Sequence, residues 1–421
     1  MLKKVIEFIP TDKRHIEFTA KFLHHEAKRI LFDTKYLMEI DVTNQCELKC
    51  TYCYHFRYLD VIKELQRYLD VTGQDLDEWA ELYLDAIVEF QNYLRVTGKN
   101  PDDLLGQNSD IIKEFKRYLD VTGHDLDEWL KRYSGTAKDF QNYLRVTGQV
   151  LNEWLKRYSY ALKVPNQSVD LLKDIVLKIN KPEPSLEEWI ERLNGAYEKG
   201  VRVVLFVGGE PALRQDVLME ANEIFSLLAV ISNGVKKIPE EFQHRIAISL
   251  DGNREINDRF RGKGVFDRIM KNYQGDKRVV FNHVLTRENH NNLSEMVQIA
   301  KDADVSGVVF DLYSPGINEE SEFVLKREDR ERIRTLLYRE LRKDGDMIFM
   351  TRKMVDWLVD GNHVKKCYWR DNAYHYDVYG NERKCFNNFA DCSRCGCVMG
   401  SFQNFVWSSA LSPKLRRFFL L

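Results

Sequence analysis

The chain has 421 residues, 44% hydrophobic and 12% aromatic, ample for sizeable cores in more than one compact unit. A formal charge of −2 gives no global electrostatic case for nucleic acid, and no apolar run approaches the roughly 20 residues that span a bilayer. Eight cysteines fall into two groups, at positions 46–53 and 367–397, which points to metal ligation in a reducing, cytoplasmic setting more than to disulfides.

Residues 1–36 read as a helical or extended lead-in, whose opening run is broken by Glu7 and Pro10. The apolar run Leu37 to Thr43 predicts the first strand. Directly behind it, Cys46, Cys50 and Cys53 put three thiols on one tight loop at a strand's C-terminal end, where α/β folds build their sites. Structural zinc takes four ligands, whereas three thiolates on a cluster of four irons leave one metal position open. An open iron can bind a small molecule and pass it an electron.

Residues 57–166 are occupied by an internal repeat with a period of 25 residues, in which Tyr68, Tyr93, Tyr118 and Tyr143 are equivalent. Trp79, Leu104, Trp129 and Trp154 fill the matching apolar position. Each unit predicts a helix, a glycine stop and a second short helix, so stacked units bury an aromatic stripe. The stripe serves either packing between repeats or docking of a substrate or partner protein. The repeat contains no cysteine.

Beyond it, Ser185-Leu186-Glu187-Glu188 is a capping box that starts a helix running to Gly200. Apolar runs at 201–207, 228–232, 246–250, 279–285 and 308–313 alternate with helical stretches such as 291–303, the rhythm of βα units and a parallel sheet. Residues 317–366 read as a helical connector. Then Cys367, Gly380 and Cys385 give Cys-x12-Gly-x4-Cys, followed by Cys392, Cys395 and Cys397, enough thiols for a four-cysteine iron–sulfur cluster with one to spare. Structural zinc is the competing reading of that group. The tail 401–421 sets Lys414, Arg416 and Arg417 beside Phe418, Phe419, Leu420 and Leu421, for packing on its own domain or for peripheral contact with a membrane.

Cys46-x3-Cys50-x2-Cys53, with Tyr52 before the last cysteine, resembles the motif of the radical S-adenosylmethionine (radical SAM) superfamily. Further resemblances follow in order: Gly208-Gly209-Glu210-Pro211 after the second strand, Ser232-Asn233-Gly234 after the third, Ile248 to Gly252 at the fourth, and Asn257-Asp258-Arg259-Phe260-Arg261, where Asn257 stands in place of the family's His. The resemblance implies a catalytic 4Fe-4S cluster on the three cysteines and S-adenosylmethionine beside it. Gly208 to Pro211 would meet the cofactor's amino group, Ser249 its ribose and Arg261 its carboxylate, with Tyr52 and Asn233 in the same site. Adjacent glycines allow close backbone approach, and a carboxylate suits an ammonium group. The chemistry implied is reductive cleavage of S-adenosylmethionine to a 5′-deoxyadenosyl radical that attacks a substrate.

The second cysteine group resembles the start of a SPASM or twitch extension, implying an auxiliary 4Fe-4S cluster on ligands drawn from Cys367, Cys385, Cys392, Cys395 and Cys397. Residues 377–385 with the cysteines that follow are also similar, more weakly, to hopanoid adenosyl-transfer enzymes. The expected fold is α/β: a partial (βα)6 radical SAM barrel from 37–56 and 167–316, interrupted by the helical repeats and followed by the cysteine-rich extension 367–400. Expected partners are a reductant such as flavodoxin or ferredoxin and a peptide or lipid substrate. The alternative is a non-catalytic iron–sulfur or zinc-binding module that acts through its repeats.

Overall fold

The computed structural model describes residues 24–25, 27–29, 31, 34–53, 182–316, 319–361, 367–385, 387 and 390–402. The chain divides into one unit of residues 1–56 and 183–421 and a second of residues 57–182. The 25-residue repeats, the stretch 167–181 and the tail 403–421 lie outside the described residues.

The apolar runs become β1 (Leu37–Asp41), β2 (Val203–Val207), β3 (Leu227–Ser232), β4 (Arg245–Ser249), β5 (Val279–Leu285) and β6 (Gly307–Leu312). Every one pairs in parallel with its sequence neighbour. β7 (Ala373–Tyr376), which the hydrophobic pattern does not announce, adds to the outer edge of β1 and completes an open sheet in the order β6-β5-β4-β3-β2-β1-β7. The fold is thus an open, all-parallel α/β sheet of seven strands, the last contributed by the cysteine-rich region.

Ser185 caps α1 (Leu186–Glu198) through the expected capping box: its hydroxyl accepts from Glu188 N, and Glu188 accepts from Ser185 N. Trp189 and Leu193 on one face of α1 are fully buried in the core shared with the sheet, because residues four apart stack on one helix face. The other helices are α2 (Gln215–Ile224), α3 (Arg254–Arg261), α4 (Val265–Tyr273), α5 (Leu293–Asp302), α6 (Arg327–Lys343), α7 (Arg352–Asp360) and the short α8 (Tyr368–Asn372). Since all strands run the same way, the loops leaving their carboxyl ends gather along one rim.

β1 carries two charges into the interior, Glu39 and Asp41, both buried. Buried carboxylates persist only when paired. Trp369 Nε1 donates to Glu39 at 2.5 Å, His375 Nδ1 lies 3.3 Å from Glu39, and Arg383 meets Asp41. All three partners come from the region around β7.

Candidate active site at the carboxyl ends of β1 to β4

The cysteine loop leaves β1 under firm backbone control. Glu183 accepts from the Thr43 hydroxyl and from Asn44 N at 2.7 Å, and Thr43 Oγ1 accepts from Gln45 N at 3.0 Å. The next strand's loop then zips onto it: Gly209 N donates to Thr43 O and Glu210 N to Gln45 O, each at 2.7 Å. A Cβ on Gly208 would stand 2.6 Å from Thr43 O, and one on Gly209 only 2.1 Å from Gln45 O. The two glycines therefore admit a close backbone approach, and in this structure the approaching partner is the cysteine loop itself. Gly208 adds a positive φ of 119°, open to glycine and costly for other residues.

Glu210 is buried, and its carboxylate accepts three internal hydrogen bonds. Oε1 takes Ala212 N at 2.9 Å and the Ser232 hydroxyl at 2.7 Å, while Oε2 takes Asn233 N at 2.6 Å. Burial pushes its pKa up to about 7, against the opposing pull of those donors. Glu210 thus braces the loops after β2 and β3 against each other. Pro211 opens the following turn of 3-10 helix.

Asn233 is the side chain that joins these loops to a thiol: its Nδ2 lies 3.6 Å from Cys46 Sγ, while its Oδ1 accepts from Val235 N. Leu48 N also donates to Cys46 Sγ, at 3.4 Å. On the other side, Arg261 Nη1 stands 4.0 Å from Cys50 Sγ, and its Nε is 2.6 Å from Asp251 Oδ2. Ser249 ends β4 half-buried, opposite Asn282 in register. The structure so brings Cys46, Cys50, Asn233 and Arg261 together, with Gly208, Gly209 and Glu210 immediately beneath.

Tyr52 takes a different position from a ring laid open to a ligand. It is buried among Phe260, Tyr313 and Phe323, with ring centroids 5.5 to 5.9 Å away. Thr51 N donates to Phe260 O at 2.9 Å. The segment between Cys50 and Cys53 is thereby anchored to the end of α3 and to the loop after β6.

The donor set suits an iron–sulfur cluster. Burial pushes the Cys46 thiol up to about 12 and the Cys50 thiol up to about 11, so metal binding must displace protons from both. Donors aimed at a thiolate sulfur, as from Leu48 N and Asn233 Nδ2, and the nearby Arg261 cation stabilise the charged form. Among the described residues no three His, Cys, Asp or Glu side chains converge closely enough for a single metal ion. Cluster thiolates each bind a different iron and stand further apart than ligands of one ion.

The second cysteine group lies against the ends of β6 and β7. Ser314 Oγ is 3.4 Å from Cys395 Sγ and accepts from Gly396 N, and Gly396 O accepts from Leu312 N. A Cβ on Gly396 would collide with Leu312 at 2.3 Å, so only glycine lets this loop lie flat on the strand end. Val398 N donates to Asp311 at 2.6 Å, and burial pushes that carboxyl up to about 6. Burial raises the Cys367, Cys385, Cys395 and Cys397 thiols, with Cys395, Cys367 and Cys385 all adding to the shift at Cys397. Cys392 Sγ sits 4.0 Å from the Arg370 guanidinium.

Reasoning from sequence missed Glu183, Asp251 and the Glu39, Asp41 and Arg383 network. Asp251 was within reach, as it follows Ser249 in a quoted motif. Glu183 and Arg383 act across 140 and 342 residues and leave no local pattern.

With this geometry in place, the comparisons point the same way: the family described as the Radical SAM superfamily matches residues 40–204 of the chain. Among curated proteins, Fe-coproporphyrin III synthase of Methanosarcina barkeri (strain Fusaro / DSM 804) is 39% identical over 100 residues, which is 21% of this chain and 25% of that protein. The chain thus matches about a quarter of that relative's length. Solved structures with a similar chain path include Streptococcus suis SuiB bound to precursor peptide SuiA, at 15% identity and a TM-score of 0.39 over 49% of this chain and 54% of that one. Native anSMEcpe with bound AdoMet and Cp18Cys peptide matches at 18% identity and a TM-score of 0.38, over 57% of this chain and 76% of that one. Among the described residues no helix is long and apolar enough to cross a membrane.

Proposed function

We propose that the chain is a radical SAM enzyme in which Cys46, Cys50 and Cys53 hold a 4Fe-4S cluster and the loops after β2, β3 and β4 hold S-adenosylmethionine. The observation that carries this reading is the placing of the Asn233 amide beside Cys46 and of the Arg261 guanidinium beside Cys50, at the carboxyl ends of parallel strands. When bound, the reduced cluster would supply the electron that cleaves the cofactor to 5′-deoxyadenosine by way of its radical. The protein's own share is to fix the thiol loop through Glu183 and Glu210, to present donors and a cation around the sulfurs, and to bury the segment at Tyr52 away from water.

The second cysteine group is read as the ligand set of an auxiliary 4Fe-4S cluster, and the 57–166 repeats as an inserted accessory unit for substrate or partner protein. A peptide is the favoured substrate, on the resemblance of the cysteine extension to SPASM-type proteins, with a lipid as the alternative. Flavodoxin or ferredoxin serves as reductant.

The test is anaerobic reconstitution with iron and sulfide, then addition of S-adenosylmethionine and a reductant. Wild type should release 5′-deoxyadenosine, and the Cys46→Ala, Cys50→Ala, Cys53→Ala triple variant should not, while keeping iron at the second group. A folded, iron-loaded wild type that leaves the cofactor intact would mean a binding module instead.

A further inference from the structure

Behind the Cys50 loop, several buried polar atoms without a hydrogen-bond partner among the described residues lie around one carboxylate. They are both oxygens of Asp251, Arg261 Nε, Asn257 Nδ2, Tyr52 Oη and His283 Nε2. Asp251 is 0% exposed. Its close cation is Arg261, whose Nε stands 2.6 Å from Oδ2 without the alignment of a hydrogen bond. The carboxylate thus grips the guanidinium by its edge. That leaves Nη1 on the side of Cys50, 4.0 Å from the sulfur.

The backbone of Asp251 is itself held from two directions. Asn257 Oδ1 accepts from Asp251 N at 3.2 Å, and Asn289 Nδ2 donates to Asp251 O at 3.2 Å. Asn257, the position at which the α3 motif departs from His, is therefore part of the support. A short amide reaches back to the end of β4 and fixes the carboxylate that fixes the arginine.

We propose that Asp251 is a positioning residue, which holds the Arg261 guanidinium beside Cys50 and so sets how tightly the cysteine loop binds its cofactor. The inference rests on the radical SAM reading. It follows from the cost of burying a carboxylate beside a cation: each is stable there only while the other stays in place. Arg261 therefore cannot relax towards solvent as a surface arginine would, and its Nη1 beside Cys50 is already oriented for an anionic group at the cluster.

The experiment compares wild type, Asp251→Asn, Arg261→Ala and the double variant, reconstituted to equal iron content. Each is titrated with S-adenosylmethionine while the electron paramagnetic resonance of the reduced cluster is recorded. Asp251→Asn should weaken cofactor binding by about tenfold or more, since a misplaced charge-assisted hydrogen bond loses its net worth. It should also alter the cofactor-free signal, because the charge beside Cys50 has moved. In the Arg261→Ala background the same substitution should add nothing, as expected of residues acting as a unit. An unchanged titration and signal in Asp251→Asn overturns the proposal, as does a full effect in the Arg261→Ala background. Should Asp251→Asn fail to fold, Asn257→Ala removes the backbone support and keeps both charges: weaker cofactor binding is expected, and wild-type behaviour overturns the idea. A wild-type signal that ignores the cofactor would instead bring down the enzyme reading, so the two failures are told apart by that control.

Discussion

Arg383 grips Asp41 with both ends of its guanidinium, Nη2 to Oδ1 at 2.8 Å and Nη1 to Oδ2 at 2.5 Å, across 342 residues of sequence. Asp41 ends β1, the strand that leads into Cys46, and Arg383 precedes Cys385 by two positions. One planar fork thus ties the strand beneath the first cysteine loop to the second cysteine group, a geometry that lysine could not reproduce.

Arg383→Met should destabilise the protein by about 3 to 5 kcal/mol, because it strands a buried Asp41 with Glu39 close by. Adding Asp41→Leu should recover part of that loss, since the double change removes the unpaired charge as well as the pair. Urea unfolding of wild type and the two variants measures both effects. A loss below about 1 kcal/mol in the single variant would make the contact no better than a surface ion pair.

Gly209→Ala should prevent normal cluster assembly, because the new Cβ would sit 2.1 Å from Gln45 O and push the thiol loop off the β2 loop. Gly195→Ala is the matched control, as a Cβ there meets nothing within 4 Å in α1. Within a helix that change should stabilise by up to about 1 kcal/mol. Iron content after reconstitution and thermal unfolding separate the two. Full iron uptake by Gly209→Ala would show that the loop can shift without harm.

The strands were legible because a buried parallel strand is a short apolar run: 279–285 becomes β5 without change, and 228–232 and 308–313 shift by a residue to β3 and β6. The Ser185 capping box was legible because all its partners lie within four residues. β7 was not, since Ala-Tyr-His-Tyr has no distinctive apolar run and depends on pairing with β1. Nor could the sequence show what Gly208 and Gly209 approach. Two glycines announce close packing, but their partner at Thr43 to Gln45 is set by tertiary structure. Glu210 illustrates the same limit: its residue type suits a ligand's ammonium group, while the three donors that reach it are visible only in the fold.

Away from the cysteines, His244 should shape stability in acid. Burial holds its pKa down to about 4, and its ring packs edge-on against Phe242 at 5.6 Å. The unfolded chain takes up the proton near its ordinary value of 6.5, whereas the folded chain resists until about 4. The neutral ring's contribution is therefore complete above the unfolded value and is lost as pH falls through the folded one. His244→Gln should flatten this dependence. Unfolding midpoints at about pH 7.5 and about pH 5 should converge for the variant relative to wild type. An equal acid loss in both proteins would assign the effect to other groups.

Glu210→Gln distinguishes two roles for one carboxylate. If Glu210 served only the cofactor's ammonium group, the amide would keep its shape, the cluster would assemble normally and cofactor affinity alone would fall. The hydrogen bonds argue for a larger consequence. Oε2 accepts from Asn233 N and Oε1 from Ala212 N, both backbone donors that cannot turn away. Whichever way the glutamine amide is placed, its NH2 faces one of those N–H groups and leaves it unsatisfied in a buried site. The expected cost is about 1 to 3 kcal/mol. Because Asn233 also carries the amide beside Cys46 Sγ, the displacement should reach the thiol loop. Thermal unfolding should therefore drop, and iron uptake with it, before any cofactor is added. Glu210→Asp, which keeps the charge but shortens the reach, should fail in the same direction. Normal stability and iron content in Glu210→Gln, combined with weaker S-adenosylmethionine binding, would return Glu210 to the cofactor and remove it from the scaffold.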